Sequence, residues 1–128
     1  MNHLLWDMLT RIRNGQKAGK ISILHPKTKL CCKILNIFLD EGFILGYNVL
    51  PTNPRVIKIH LKYFNNQPVI NQIKAVSKPS KRVYISSKEL WKINNLLGVL
   101  ILSTPKGVLS DKNSRKLNVG GEVFCIIK

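Results

Sequence analysis

The sequence predicts an α+β protein built from two small lobes. Apolar residues make up 45% of its 128 residues, which is enough for a folded core. Helix-like spacing of apolar residues near the start gives way to strand-like alternation further on. A polar break at residues 65–68 is the best candidate boundary. We therefore expect an N-terminal α-β-α-β-β lobe over residues 1–66 and a C-terminal lobe, mostly β with short helices, over residues 67–128.

Two helices and a short strand are predicted to open the N-terminal lobe. Residues 4–14 have the spacing of a helix, with one apolar face made by Leu5, Met8, Leu9 and Ile12. Asn14-Gly15 is the expected stop, and a short strand is expected over residues 21–24. Pro26 is expected to open a second helix that Gly42 closes. The predicted buried face of this helix comprises Leu30, Ile34, Ile37 and Phe38.

Two antiparallel strands are expected to complete this lobe. Residues 43–50 and 55–64 flank a turn sequence at residues 51–54. The second strand alternates, with Ile57, Ile59, Leu61 and Tyr63 on one side and Lys58, His60 and Lys62 on the other. This pattern is typical of a half-buried strand with a basic outer face.

The C-terminal lobe is predicted to consist of short strands and capped helices. Strands over residues 69–76 and 82–85 flank a basic loop at residues 77–80. Ser86 and Glu89 have the spacing of a capping box and predict a helix through residue 97. The remaining elements are expected in this order: a buried strand over residues 99–102, a loop over 103–107, a helix capped by Ser110, and a final strand over 122–127 entered through Gly120-Gly121.

The charge of the chain predicts a polyanionic partner. Its 21 Lys and Arg against 6 Asp and Glu give a formal net charge of +15, whose self-repulsion a nucleic acid or an anionic membrane would relieve. No apolar run approaches the roughly 20 residues that span a bilayer. A membrane-surface protein is also disfavoured, because the apolar helix faces are narrow and needed for the core. We therefore expect no membrane partner and favour a nucleic acid.

The cysteines and histidines do not predict a disulfide framework or a metal site. Cys31, Cys32 and Cys125 are odd in number, which favours a reducing compartment, and the adjacent pair is best interpreted as small buried hydrophobes. The three histidines contain no short-spaced ligand pair. We expect no metal and no cofactor.

Catalysis is also poorly supported. The six carboxylates are dispersed, and the sequence contains no phosphate loop and no local nucleophile-histidine pairing. His60, on the outer row of its strand, is better explained as solvated or RNA-facing than as catalytic. We therefore expect no enzymatic activity and no small-molecule substrate.

Three loops offer groups that suit RNA. Residues 103–107 combine two hydroxyls, a lysine and a flexible backbone directly after a buried strand, and such groups can approach sugar and phosphate oxygens. Residues 77–84 interleave cations with hydroxyls and end at Tyr84, which can stack on a base. Glu122, after two glycines, can accept from a base amino group. For each loop taken alone, a solvated polar turn is the competing interpretation.

Taken in order, these loops and other segments resemble one family, protein eight of the small ribosomal subunit, over essentially the whole chain. The matching segments are DMLTRIRNGQ at residues 7–16, EGFI at 41–44, LKYF at 61–64, SKP at 77–79 with Arg82 and Tyr84, STPKGV at 103–108 and GGEV at 120–123. A single match of this kind would be weak, whereas all of them in register are specific.

The resemblance implies a two-lobed α+β protein that binds the central domain of small-subunit rRNA early in assembly, beside neighbouring ribosomal proteins. It assigns the main contact to Ser103, Thr104, Lys106 and Gly107. It adds Arg82, Tyr84, Gly121 and Glu122 in the same lobe, and Thr10, Asn14 and Lys29 in the N-terminal lobe. Pro105 departs from the serine usual in bacterial members. Proline removes a hydroxyl and an N–H, but it stiffens the loop.

Two questions stay open at the level of sequence. A free translational regulator that binds mRNA with the same surface is the alternative function. The excess of Ile, Asn and Lys over Ala, Gly and Arg is typical of AT-rich coding, and the expectation drawn from it is a mitochondrial ribosome, with a plastid or the bacterial cytoplasm as alternatives.

Overall fold

The computed structural model describes residues 3–78, 80–92 and 98–128. It divides into two compact units, Met1–Asn71 and Gln72–Lys128. The division falls beyond the boundary expected after residue 66, because Gln67–Pro68 pairs with Tyr63–Phe64 and stays with the first unit. The α+β fold class predicted from the sequence is confirmed. No helix in the described ranges is long and apolar enough to cross a membrane.

The first unit packs two helices against a three-stranded antiparallel sheet. The sheet has the strand order β1-β3-β2, and a two-stranded hairpin, β4 with β5, follows it. The elements are α1 (His3–Lys17), β1 (Ser22–Pro26), α2 (Lys29–Asp40), β2 (Ile44–Val49), β3 (Val56–Leu61), β4 (Tyr63–Phe64) and β5 (Gln67–Pro68). Asn65 and Asn66 both have positive φ, which suits the two-residue turn between β4 and β5.

The core of this unit follows the apolar periodicity closely in α1 and β3. The predicted apolar face of α1 is at most 1% exposed, and the inward residues Ile57, Ile59 and Leu61 of β3 are at most 2% exposed. In α2 the buried face is shifted relative to the prediction. It comprises Cys31, Ile34, Leu35 and Phe38, whereas Leu30 and Ile37 are only half-buried.

The predicted end of α1 at Asn14-Gly15 is wrong, because the helix continues to Lys17. Gly15 serves close packing instead. A Cβ placed there would lie 2.7 Å from Ile23 Cγ2 and 3.1 Å from Leu61 Cδ1, so the missing side chain lets the helix approach the sheet. Gly19, with φ of +71°, provides the left-handed residue after the helix.

The predicted start of α2 at Pro26 is also wrong. Pro26 is the last residue of β1, and Thr28 caps the helix by accepting a hydrogen bond from the Cys31 amide at 3.1 Å. Cys31 is buried as expected, but Cys32 is half-buried, because successive residues on a helix point in different directions.

Strand β1 contributes a fully buried histidine that contacts α2. His25 is 0% exposed, and its Nε2 lies 3.7 Å from Cys31 Sγ. Burial, followed by the positive charge of Arg11, lowers the pKa of His25 below its ordinary value. Burial likewise raises the pKa of the Cys31 thiol. Both groups are therefore neutral at pH 7.

This burial predicts acid-sensitive stability of the first unit. Because the pKa of His25 is lower in the folded state, the unfolded chain binds more protons below about pH 6.5, the ordinary histidine value. We expect the free energy of unfolding to fall as pH drops from 7 to 5. The measurement is urea unfolding followed by Trp6 fluorescence in a Trp91→Phe background. In His25→Leu the free energy of unfolding should change clearly less between pH 7 and pH 5 than in the wild type. An equal change in the two proteins would show that His25 is not the cause of the pH dependence.

The second unit is built on a five-stranded antiparallel sheet. Its order is β6-β10-β8-β9, and β7 also pairs with β10. The elements are β6 (Ile73–Ala75), β7 (Tyr84–Ile85), α3 (Ser87–Leu90), β8 (Val99–Thr104), β9 (Gly107–Ser110), α4 (Asp111–Leu117) and β10 (Gly121–Ile127). Its buried cluster comprises Leu90, Leu100, Leu102 and Val123.

Local capping signals in this unit are confirmed. The Ser86 hydroxyl accepts from the Glu89 amide at 3.2 Å and donates to its carboxylate at 3.1 Å. Ser110 caps α4 by accepting from the Asn113 amide at 3.3 Å. Asp111 pairs with Arg115 at 3.4 Å one turn later.

Several predicted bounds in the second unit need correction. The strand expected over residues 69–76 is limited to Ile73–Ala75. The helix expected through residue 97 is observed as Ser87–Leu90, and residues 93–97 lie outside the described ranges. Strand β9 was not predicted, because its apolar content is limited to Val108 and Leu109. As a result, the loop expected over residues 103–107 is the end of a hairpin.

Candidate nucleic-acid interface

Three predicted site residues lie in one row across the sheet of the second unit. Tyr84 of β7 is directly opposite Glu122 of β10, and Glu122 is directly opposite Ser103 of β8. Directly opposite residues in antiparallel strands project to the same face with their Cβ atoms about 5 Å apart. The sheet therefore brings an aromatic ring, a carboxylate and a hydroxyl together, although they are distant in sequence.

The hairpin between β8 and β9 holds the next group of predicted residues. Thr104 pairs with Gly107, so only Pro105 and Lys106 connect the strands. The Thr104 hydroxyl donates to the Gly107 carbonyl at 2.7 Å and accepts from the Lys106 amide at 3.2 Å. Pro105 suits the first position of such a turn, since its φ is fixed and it has no N–H to satisfy. The hairpin is thus rigid, and the exposed Lys106 is presented at its tip.

The hydroxyls of Ser103 and Thr104 have different roles in this structure. Thr104 is 8% exposed, and both of its hydrogen bonds are made inside the hairpin. Ser103 is half-buried, and in the described part of the chain no hydrogen bond of its hydroxyl is found. Ser103 is therefore the hydroxyl able to contact a ligand, whereas Thr104 shapes the loop. Sequence inspection treats both alike because it cannot show side-chain partners.

Gly120 and Gly121 allow a close approach of strands beside this row. A Cβ on Gly121 would lie 1.9 Å from the Ser103 carbonyl oxygen, and one on Gly120 would lie 2.3 Å from the Ile85 carbonyl oxygen. No side chain fits at either position without moving the backbone. The role of Gly121 in this structure is to let β10 lie against β8 where the row is formed.

Glu122 is buried, at 9% exposed, although its side chain is charged. One of its carboxylate oxygens, Oε1, lies 3.5 Å from Arg82 Nη1. The other, Oε2, is buried and has no hydrogen-bond partner among the described residues. A buried carboxylate oxygen without a donor costs free energy, and a base amino group is the type of donor that would satisfy it. Beside it, the Tyr84 ring is 65% exposed and available for stacking.

Ser77 is a further residue of this region that the sequence prediction did not assign. It is 1% exposed, and its hydroxyl accepts from the Val83 amide at 3.0 Å and donates to the Val83 carbonyl at 3.3 Å. These bonds close the loop that contains Arg82 and leads to Tyr84. In the sequence this role corresponds only to a hydroxyl six residues before Val83, a pattern too common to be recognised without coordinates.

The three residues predicted in the first unit lie on its helices. Thr10 and Asn14 are exposed and four residues apart on α1, so they share one helix face. Asn14 also lines a groove of about 610 Å³ together with the basic residues Arg11 and Lys20. Lys29 is exposed at the start of α2.

Titratable groups in the described ranges do not assemble into a metal site. No cluster of three or more His, Cys, Asp or Glu that could hold an ion occurs there. Complete burial raises the pKa of Cys125 to about 12, so this thiol stays protonated and is a poor nucleophile at pH 7.

The cysteines therefore offer a simple check on the fold of both units. We expect Cys32, which is half-buried, to react with a thiol reagent first, followed by Cys31, with Cys125 unreactive until the second unit unfolds. The measurement is mass spectrometry of peptides after timed alkylation at pH 7.5. Labelling of Cys125 as fast as Cys32 would contradict its burial.

Comparisons with known proteins identify the family of this chain. The family model described as Ribosomal protein S8 matches residues 3–127. Curated relatives named small ribosomal subunit protein uS8 include one from Paracoccus denitrificans, 48% identical over 99% of this chain and 98% of its own length. Another, from Novosphingobium aromaticivorans, is 53% identical over 98% and 96%, and one from Zymomonas mobilis is 50% identical over 94% and 93%. This chain therefore belongs to the ribosomal protein S8 family.

Proposed function

We propose that this chain is a structural constituent of the small ribosomal subunit that binds the central domain of its rRNA directly and early in assembly. The observation that carries the proposal is the row of Tyr84, Glu122 and Ser103 beside a rigid hairpin that presents Lys106. Membership of the ribosomal protein S8 family supports the ribosomal role. Neighbouring proteins of the subunit are its expected protein partners.

Charge and geometry contribute differently to this function. The formal net charge of +15 attracts any RNA and makes binding dependent on salt. Discrimination is assigned to the row, where the exposed Tyr84 ring and the half-buried Ser103 hydroxyl flank Glu122 on one side of the sheet. The exposed residues Thr10, Asn14 and Lys29 of the first unit are proposed to add contacts of their own.

Binding of a central-domain transcript over a series of salt concentrations tests the proposal. If the protein neutralises about six phosphates, log affinity should fall against log salt with a slope of very roughly −4 to −5. A transcript of the same length from another rRNA domain is the control for specificity. A flat salt dependence, or equal affinity for the two transcripts, would contradict direct recognition.

A second measurement separates a ribosomal component from a free regulator that binds mRNA. A ribosomal component should sediment with the small subunit through a gradient in high salt, because contacts made inside the assembled particle persist there. Recovery of the protein only in the free fraction would favour the regulator.

The mitochondrial location inferred from composition stays a proposal. The relatives described above are bacterial, so they support the bacterial alternative and give no support to the mitochondrial location. Locating the gene, in an organellar or a bacterial genome, decides between the two.

A further inference from the structure

A lysine-lined groove lies at the outer edge of the second unit, beside β6. Its volume is about 360 Å³, and Lys74, Lys78 and Lys81 surround it. Half-buried apolar residues, among them Val76, Val83 and Ile126, form its floor. We call this feature the lysine groove. None of its lysines belongs to the row of Tyr84, Glu122 and Ser103.

The backbone around the lysine groove is held in place. Lys74 lies on β6 opposite Ile126 of β10. Lys78 and Lys81 exchange two backbone hydrogen bonds, of 2.8 and 3.0 Å, across a tight turn. The Ser77 hydroxyl fastens the same turn to Val83. The three positive charges are thus attached to a fixed frame, although their side chains are exposed.

The lysine groove has no counter-charge of its own. No carboxylate lines it, and within the described ranges none of the three ammonium groups takes part in an ion pair. The acidic side chains of residues 72–128 are Glu89, Asp111 and Glu122. Each is already engaged elsewhere, with Ser86, Arg115 and Arg82 respectively. Three like charges around one groove repel each other unless an anion lies between them.

We propose that the lysine groove binds RNA backbone, with phosphates paired to Lys74, Lys78 and Lys81 and sugars or bases over the apolar floor. An RNA strand fits better than an acidic protein segment because the groove is continuous with the candidate interface. Lys81 directly precedes Arg82, and the chain then enters β7 at Tyr84. Lysine ammonium groups act as point charges and accept the varied geometry of a phosphate backbone. This inference rests on the proposed function and adds a second surface to it.

The test compares two variants of equal charge in the full chain. K74Q/K78Q/K81Q removes the groove lysines, and K88Q/K92Q/K112Q removes three exposed lysines elsewhere in the same unit. Both are titrated with the central-domain transcript over a series of salt concentrations. The groove variant should make the slope of log affinity against log salt less negative by roughly two to three, since three phosphate contacts are lost and each contributes about 0.7–0.9. The matched variant should change the slope by less than half as much.

The outcomes separate this inference from the proposed function. Equal slopes for the two variants, with wild-type binding intact, would overturn the lysine groove alone. Unchanged rRNA binding by the groove variant together with loss of its sedimentation with the small subunit would assign the groove to a protein and also overturn the proposal. Failure of the wild type to bind the transcript would overturn the proposed function itself. Circular dichroism melting, expected to be the same for both variants, excludes misfolding as the cause.

Discussion

Replacing Gly121 by alanine is expected to abolish specific rRNA binding and to destabilise the second unit by about 3 kcal/mol, the upper end of the usual cost of overpacking. The new Cβ would lie 1.9 Å from the Ser103 carbonyl oxygen, and backbone rather than a flexible side chain would have to move. That movement separates β10 from β8 where Glu122 and Ser103 are paired. The same change therefore weakens the sheet and breaks the row. Both effects should exceed those of any other single substitution in the interface.

The measurement is urea unfolding followed by Trp91 fluorescence in a Trp6→Phe background, together with titration of the central-domain transcript. For the unfolding measurement, Gly107→Ala is the matched control, because a Cβ there meets nothing within 4 Å. It is not a control for rRNA binding, since Gly107 is itself an expected contact. Its cost is limited to the strain of φ +116°, about 1–3 kcal/mol. A Gly121→Ala protein as stable as the wild type would show that β10 can move away from β8 without loss.

The parts of the fold that the sequence predicts well are those set by local interactions. Ser86 and Ser110 cap their helices through contacts three residues away, so their signals are contained in short segments. The inward row of β3 follows from strict alternation, which survives because one side of the strand is buried. In segments of this kind, the residues that determine the structure lie close together in the sequence, so the sequence alone predicts it.

The errors occur where a distant contact decides the outcome. Asn14-Gly15 has the composition of a helix stop, yet Gly15 is needed for contact with Ile23 and Leu61, far along the chain. Strand β9 is stabilised by its pairing with β8, and its own segment contains too few apolar residues to predict a strand. The lysine groove combines residues of a strand and a turn, which no linear motif joins.

The candidate interface likewise depends on contacts between residues that are distant in the sequence. The resemblance to a known family supplied its residues, and the structure brings Tyr84, Glu122 and Ser103 into one row through pairing of three strands. Periodicity alone would not have selected them. The separate roles of Ser103 and Thr104 depend on hydroxyl partners, which are visible only in three dimensions.

Those separate roles lead to a second large effect, expected for Thr104→Val. Valine has nearly the same shape but removes the donor to the Gly107 carbonyl and the acceptor for the Lys106 amide. Loss of these bonds should destabilise the second unit by about 1–3 kcal/mol. Because the hairpin then loses its fixed shape, affinity for the transcript should also fall by tenfold or more. A tenfold loss corresponds to about 1.4 kcal/mol of binding free energy. Thr104→Ser keeps the hydroxyl and should be close to the wild type in both measurements.

Ser103→Ala should lower the affinity for rRNA without lowering the stability of the second unit. Its hydroxyl has no partner within the described ranges, so unfolding measured through Trp91 should change little, while rRNA affinity falls by about 1 kcal/mol, roughly fivefold. If Ser103→Ala unfolds the second unit, the hydroxyl is structural and the contact assignment is wrong. If Thr104→Val instead keeps full stability but loses affinity, Thr104 contacts RNA directly, and the hydrogen bonds inside the hairpin are replaced on binding. The two substitutions together therefore show which hydroxyl shapes the loop and which one recognises the RNA.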